Sequence, residues 1–139
     1  MTLVYLLDTS IISIPISSSP NSKAVGRISK HSHECAVAAP VWHELIFGCE
    51  RLPVGKRRSA IEIYLKEVVL KSFPILAYES AAAEWHGLER ARLEKIGKPA
   101  PYVDGQLASI AHVNRLILVT ANMKDFSRFG ELTVENWAN

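Results

Sequence analysis

With only two cysteines, Cys35 and Cys49, among 139 residues, the chain has no disulfide framework, and reduced thiols in a cytoplasm are the expectation. Seven glycines and seven prolines exclude collagen-like and low-complexity chains. Apolar runs are short: the stretch from Cys35 to Trp42 falls far below the roughly 18 residues that a membrane span needs. The opening MTLVYLLDTS has no basic leader and reaches an acid at Asp8, so no secretory signal is expected. A charge of one sign is missing too, since 16 Lys and Arg against 14 acids leave +2. Aspartate is the scarcest charged residue. Eleven of the acids are Glu, which suits helices, and Asp occurs only as Asp8, Asp104 and Asp125. What is abundant is ordinary: 48% hydrophobic and 22% charged residues describe one globular α/β-sized domain over residues 1–139.

Apolar runs at Leu3 to Leu7, Cys35 to Ala39, Pro74 to Leu76, Leu116 to Val119 and Leu132 to Val134 predict five short strands. Between them, helical spacing predicts helices over Ser22 to His31, Pro40 to Gly48, Lys56 to Ser72, Ser80 to Ile96 and Pro101 to Asn114. A short helix follows Asp8, and Pro15 to Asn21 reads as a loop. In the fourth helix Ala81, Trp85, Leu88 and Ile96 are spaced as a core stripe, and Gly97 ends it as the glycine beyond the last turn. Strands alternating with helices imply an α/β fold with a mostly parallel sheet.

In such sheets ligands gather at the carboxyl ends of the strands. Asp8 lies just past the first strand, Glu44 one turn into the helix after the second, and Asp104 at the start of the helix before the LILV strand. Asn122 and Asp125 follow that strand. Each acid alone also reads plainly as a cap, a first-turn residue, a turn former or a surface charge. Together, clustered carboxylates repel one another, and a hard divalent cation such as Mg²⁺ or Mn²⁺ is the reason to keep them. The matching chemistry is phosphodiester hydrolysis by activated water.

Four segments carry a resemblance: YLLDTSIIS, AAPVWHELIFGCERLPVGKRR, AAAEWHGLERARLEKIGKPAPYVDGQLASIAH and LILVTANMKDF. In this order they resemble PIN-domain ribonucleases, most closely the VapC toxins of type II toxin–antitoxin modules, of the FitB-like kind. The resemblance implies a three-layer α/β/α fold and an endoribonuclease using Mg²⁺, with Mn²⁺ substituting. It implies Asp8, Glu44, Asp104 and Asp125 as catalytic metal ligands, with Thr9, Thr120 and Asn122 as supporting polar groups. It further implies a transfer or ribosomal RNA substrate, a cognate antitoxin, operator DNA contacted only through that antitoxin, and a homodimer in the cytoplasm. Ser10 stands where Asn is commoner, Gln106 and Ser109 where small apolar residues are frequent, Ala121 where a polar residue often precedes the Asn, and His43 beside Glu44 is unusual.

Arg90, Arg92, Lys95 and Lys98 lead towards Asp104 and are the candidate RNA contacts; Lys124 and Arg128 flank Asp125 and suit either that role or a solvated surface. Lys56-Arg57-Arg58 reads as the solvated start of a helix more than as a phosphate site, and His31-Ser32-His33-Glu34-Cys35 as a polar loop more than as a zinc site. Trp42, Trp85 and Trp137 read as packing anchors. The apolar segments Ile11 to Ile16 and Val25 to Ile28 suit either a partner-binding face or the core. Two competitors differ in class. A phosphoryl-accepting receiver needs a mid-chain Asp, and none lies between positions 8 and 104. An inactive PIN-like scaffold binding RNA or protein is countered by the four retained acids. Without those four, ten acids face sixteen bases, a remainder of +6, so a near-neutral total averages an acidic pocket and a basic surface.

Overall fold

Strand β1 (Tyr5–Leu7) forms the middle of the protein because Leu6 and Leu7 are both fully buried, one to each face of the sheet. A computed structural model describes residues 2–139. Strands β2 (Cys35–Ala38), β3 (Ile75–Leu76), β4 (Ile117–Val119) and β5 (Val134–Glu135) complete one sheet in the order β3-β2-β1-β4-β5, with every pairing parallel. β2 is buried along its whole length, as a strand covered on both faces must be. The chain runs outward from β1 through β2 to β3, then returns to the other side of β1 with β4. The order reverses between β1 and β4, which is where an open α/β sheet leaves a crevice at its carboxyl edge. The register fixes that edge: Leu7 pairs with Val119, and the Asp8 N–H donates to the Val119 carbonyl at 2.9 Å.

Helices α1 (Thr9–Ile12) and α2 (Ser22–Lys30) follow β1, and α3 (Ala39–Glu50) follows β2 with Pro40 in its first turn. α4 (Lys56–Ile63) continues through a π-helical stretch at Tyr64–Val69 into α5 (Leu70–Ser72). α6 (Ser80–Lys95) and α7 (Tyr102–Val113) form the most extensive helix pair, and α8 (Met123–Phe126) is a single turn after β4. These helices sandwich the sheet in the three-layer α/β/α arrangement. Among the described residues no helix is long and apolar enough to cross a membrane.

Several sequence expectations are refined by packing. Ile11, Ile12 and Ile28 are buried in the core, and Ile14 and Ile16 pack against it, which accounts for those apolar segments within the chain itself. Tyr64 reaches the same region and donates to the Ile12 carbonyl at 2.6 Å. Asn21 caps α2 by accepting from the Ala24 N–H. The wide π turn points Val69 inward and leaves Val68 exposed. The stripe expected on α6 is wrong in phase: Leu88 and Ile96 are exposed, and the buried face is Ala82, His86 and Leu93. Gly97 does end α6, at φ +71, with the Gly97 and Lys98 N–H groups donating to the Glu94 and Leu93 carbonyls.

His31 bonds Glu34 at 2.8 Å and the Cys35 thiol donates to the His31 carbonyl, so this loop satisfies itself. Trp137 is buried against Tyr5 and His31, the packing role expected of it. Arg58 is taken by Glu50, Glu62 and the Leu52 carbonyl, which removes it from the basic run of α4.

Candidate functional site

The crevice between β1 and β4 is organised around Asp8. Its Oδ1 accepts from the Thr9 N–H at 2.7 Å, the capping bond that starts α1. Its Oδ2 accepts from Ser10 Oγ at 3.0 Å and from Thr120 Oγ1 at 2.7 Å. Capping and site-building are therefore one arrangement here, not competing explanations of the residue. Thr120 is fully buried, and its hydroxyl in turn accepts from the Asn122 N–H at 3.0 Å. Ser10 Oγ accepts from the Ala121 N–H at 3.0 Å. Two hydroxyls thus tie the turn after β1 to the turn after β4. Ser10 belongs to this network fully, although in the sequence it stood out only as a departure from the commoner Asn.

Asp104 enters from the first turn of α7. Partial burial first, then the carboxylates of Asp125 and Asp8, hold its carboxyl above the usual range, while Arg128 pulls the other way. Asp8, Asp104 and Asp125 therefore share one electrostatic neighbourhood. Asp125 is exposed in the single turn of α8, which Phe126 anchors in the core. Neither Asp104 nor Asp125 has a Lys or Arg in ion-pair contact among the described residues. Glu44 is exposed on α3, and it is not among the charges that bear on Asp104. No three of the four acids bring their ligand oxygens within 4.8 Å of one another. Thr9 and Asn122 take part through backbone groups: the Thr9 N–H donates to Asp8 Oδ1, and the Asn122 carbonyl accepts from the Asp125 N–H.

The position of Asp104 is set by a close helix contact that sequence reasoning did not identify. A Cβ on Gly105 would lie 2.0 Å from Nε2 of the buried His86 of α6. His86 Nδ1 bonds the Tyr78 hydroxyl at 2.8 Å, and Tyr102 lies over its ring at 5.0 Å. Burial, and then Arg90, push the His86 pKa down. The DG pair of the DGQLASIA segment is thus an acid for the site followed by the one residue small enough to seat it.

The candidate RNA contacts divide. Arg92 forms a two-pronged pair with Glu89, at 2.7 and 2.8 Å, and also donates to the Arg128 carbonyl. Arg90 lies over the Tyr102 ring at 5.5 Å, near Glu94. Lys95 and Lys98 are exposed, and Lys98 lines a groove with Lys124 and Arg128.

The tightest group of potential ligands in the described residues is elsewhere, at Cys49, Glu50 and Glu62. Arg58 sits between the two glutamates at 2.7 and 3.0 Å, so each already has a cationic partner. The donor set that fits a hard cation is the Asp8–Asp104–Asp125 crevice, where oxygen donors repel one another.

The profile of the family described as PIN domain matches residues 5–132. The chain is 31% identical over 136 residues to the tRNA(fMet)-specific endonuclease VapC of Shigella flexneri, covering 98% of this chain and 99% of that one. Among solved structures, FitAcB from Neisseria gonorrhoeae superposes with a TM-score of 0.88 at 26% identity, covering 96% of this chain and 97% of its counterpart. VapBC2 from Rickettsia felis, bound to a DNA fragment from its promoter, superposes with a TM-score of 0.83 at 26% identity, covering 97% and 99%.

Proposed function

This chain belongs to the PIN domain family, in company with VapC ribonucleases, and on that premise we propose that it is the endoribonuclease toxin of a type II toxin–antitoxin module. The observation that carries the reading is the crevice in which Asp8, Asp104 and Asp125 share one field without a basic partner in contact. Asp8, Asp104 and Asp125 would hold Mg²⁺ or Mn²⁺, with Glu44 joining from α3. A divalent cation there supplies acidification of water and neutralisation of phosphate charge.

The chain's own residues do the rest. Thr9 N–H, Ser10 and Thr120 aim the Asp8 carboxylate by three hydrogen bonds, so its orientation is set before substrate arrives. Asp104, partly withdrawn from water and pressed by two like charges, is a carboxylate whose charge a cation would relieve. Thr120 and Asn122 hold the turn carrying Asp125 at the rim. RNA of the transfer or ribosomal class is the substrate in this reading. The partners are a cognate antitoxin, through which alone operator DNA is reached, and a second copy of the chain, in the cytoplasm.

The test is cleavage of a fluorogenic RNA in Mg²⁺ by the wild type, Asp8→Asn and Asp104→Asn. Both variants are expected to lose cleavage by at least about a hundredfold while keeping the wild-type circular dichroism spectrum. Full cleavage by both sinks the site assignment. A wild type that binds RNA without cutting it favours the inactive scaffold instead.

A further inference from the structure

We propose that the groove beside the carboxylates, lined by Lys98, Lys124 and Arg128, binds the backbone phosphates of the RNA next to the one that is cut. The inference rests on the nuclease reading above and locates its substrate strand.

The groove has a volume of about 510 Å³, and Gly97, Pro99 and Ser127 complete its lining, so no acid faces it. Its three cations come from separate places: the turn after α6, the single turn of α8, and the loop beyond it. None of them has an acid in ion-pair contact among the described residues. This is unlike Arg58 and Arg92, whose guanidiniums are bound to glutamates at 2.7–3.0 Å. Cations gathered without counter-charges repel one another, and an anion relieves that cost.

The groove is also held in shape. Glu89 accepts from the Gly130 N–H at 2.7 Å as well as from Arg92, and Arg92 donates to the Arg128 carbonyl at 2.9 Å. That pair fastens the loop after α8 onto α6. Arg128 in turn donates from its Nη1 to the Pro99 carbonyl at 2.7 Å, which joins the loop to the segment leading into α7. Arg128 is fixed at one end of its guanidinium and leaves the remaining donors to the groove. The location decides the ligand. Lys124 adjoins Asp125 in sequence, and Arg128 is the one cation that bears on Asp104. A strand whose phosphate lies at the carboxylates would carry its next phosphates past these cations. A polyanion suits positive charge spread over three segments better than a compact free phosphate does.

Fluorescence anisotropy with a labelled single-stranded oligoribonucleotide, in EDTA so that no cleavage occurs, tests this at several salt concentrations. Lys98→Gln/Lys124→Gln removes two exposed side chains that make no hydrogen bond, so folding is not at issue. It is expected to raise Kd at least about tenfold and to flatten the slope of log K against log salt by about 1.4, two phosphate contacts at roughly 0.7 each. Lys30→Gln/Arg115→Gln removes the same charge from positions that precede β2 and β4, at the opposite edge of the sheet, and is expected to leave both values unchanged. Equal weakening by the two double variants, or wild-type binding by the first, overturns the groove while leaving the nuclease reading intact. No RNA binding by the wild type also overturns the groove, while the nuclease reading stands or falls on the cleavage assay in Mg²⁺.

Discussion

The two halves of the crevice are built on opposite terms. Around Asp8 every oxygen is committed: three donors hold the carboxylate, and the donors are themselves bonded or buried. Asp104 and Asp125 enter from the first turns of α7 and α8 with no basic partner in contact, and their charges oppose each other. One half is fixed by the chain, and the other keeps its charges without an ion pair. The lesson is that a carboxylate can be held rigidly by neutral donors alone, while its charged neighbours stay without counter-ions in contact.

The comparison breaks most severely if the seat of Asp104 is lost. Gly105→Ala forces a methyl into the His86 imidazole, and a loss of about 3 kcal/mol in urea unfolding is expected, together with loss of cleavage. Gly105→Ala/His86→Ala should recover most of that stability, which separates a clash from a need for glycine's backbone freedom. Next in size is the fixed half. Thr120→Val keeps the shape but removes one donor to Asp8 and strands the Asn122 N–H, for a loss of about 2 kcal/mol on the same assay.

The smallest change sharpens the contrast because it runs the other way. The raised pKa of Asp104 means that the native state holds this proton more tightly than the unfolded chain does. Its contribution to stability is full below the ordinary carboxylate range and is lost as pH rises through the raised value. Asp104→Asn should therefore raise the Tm of the metal-free protein slightly at pH 7 and leave it unchanged in acid. Millimolar Mg²⁺ should reverse that order by stabilising the wild type alone. A lower Tm for the variant at pH 7 without metal would show Asp104 to be held as firmly as Asp8.

Most of the framework was legible in the residue pattern because parallel strands buried on both faces read as short apolar runs, and all five are near their expected places. The parallel sheet implied by alternating strands and helices is the one present, with every pairing parallel. The phase of α6 was misread for a physical reason. Where two helices approach over a glycine, the inward face mixes small and polar residues such as Ala82 and His86 with the apolar Leu93, so the spacing of large apolar residues alone misplaces it. Acids at strand ends could be found because topology puts strand ends together. Which cations remain free could not, because that depends on ion pairs such as Arg92 with Glu89 that only the packed helices define.

The bond from Thr120 to Asp8 joins residues 112 positions apart. During synthesis, therefore, the first strand and its carboxylate leave the ribosome long before the hydroxyl that aims them, and β4 must dock beside β1 before the crevice exists. A site assembled from the first strand and the fourth cannot form until most of the chain has emerged. For a protein that destroys RNA, the order in which the polypeptide appears is itself a safeguard of the machine that makes it.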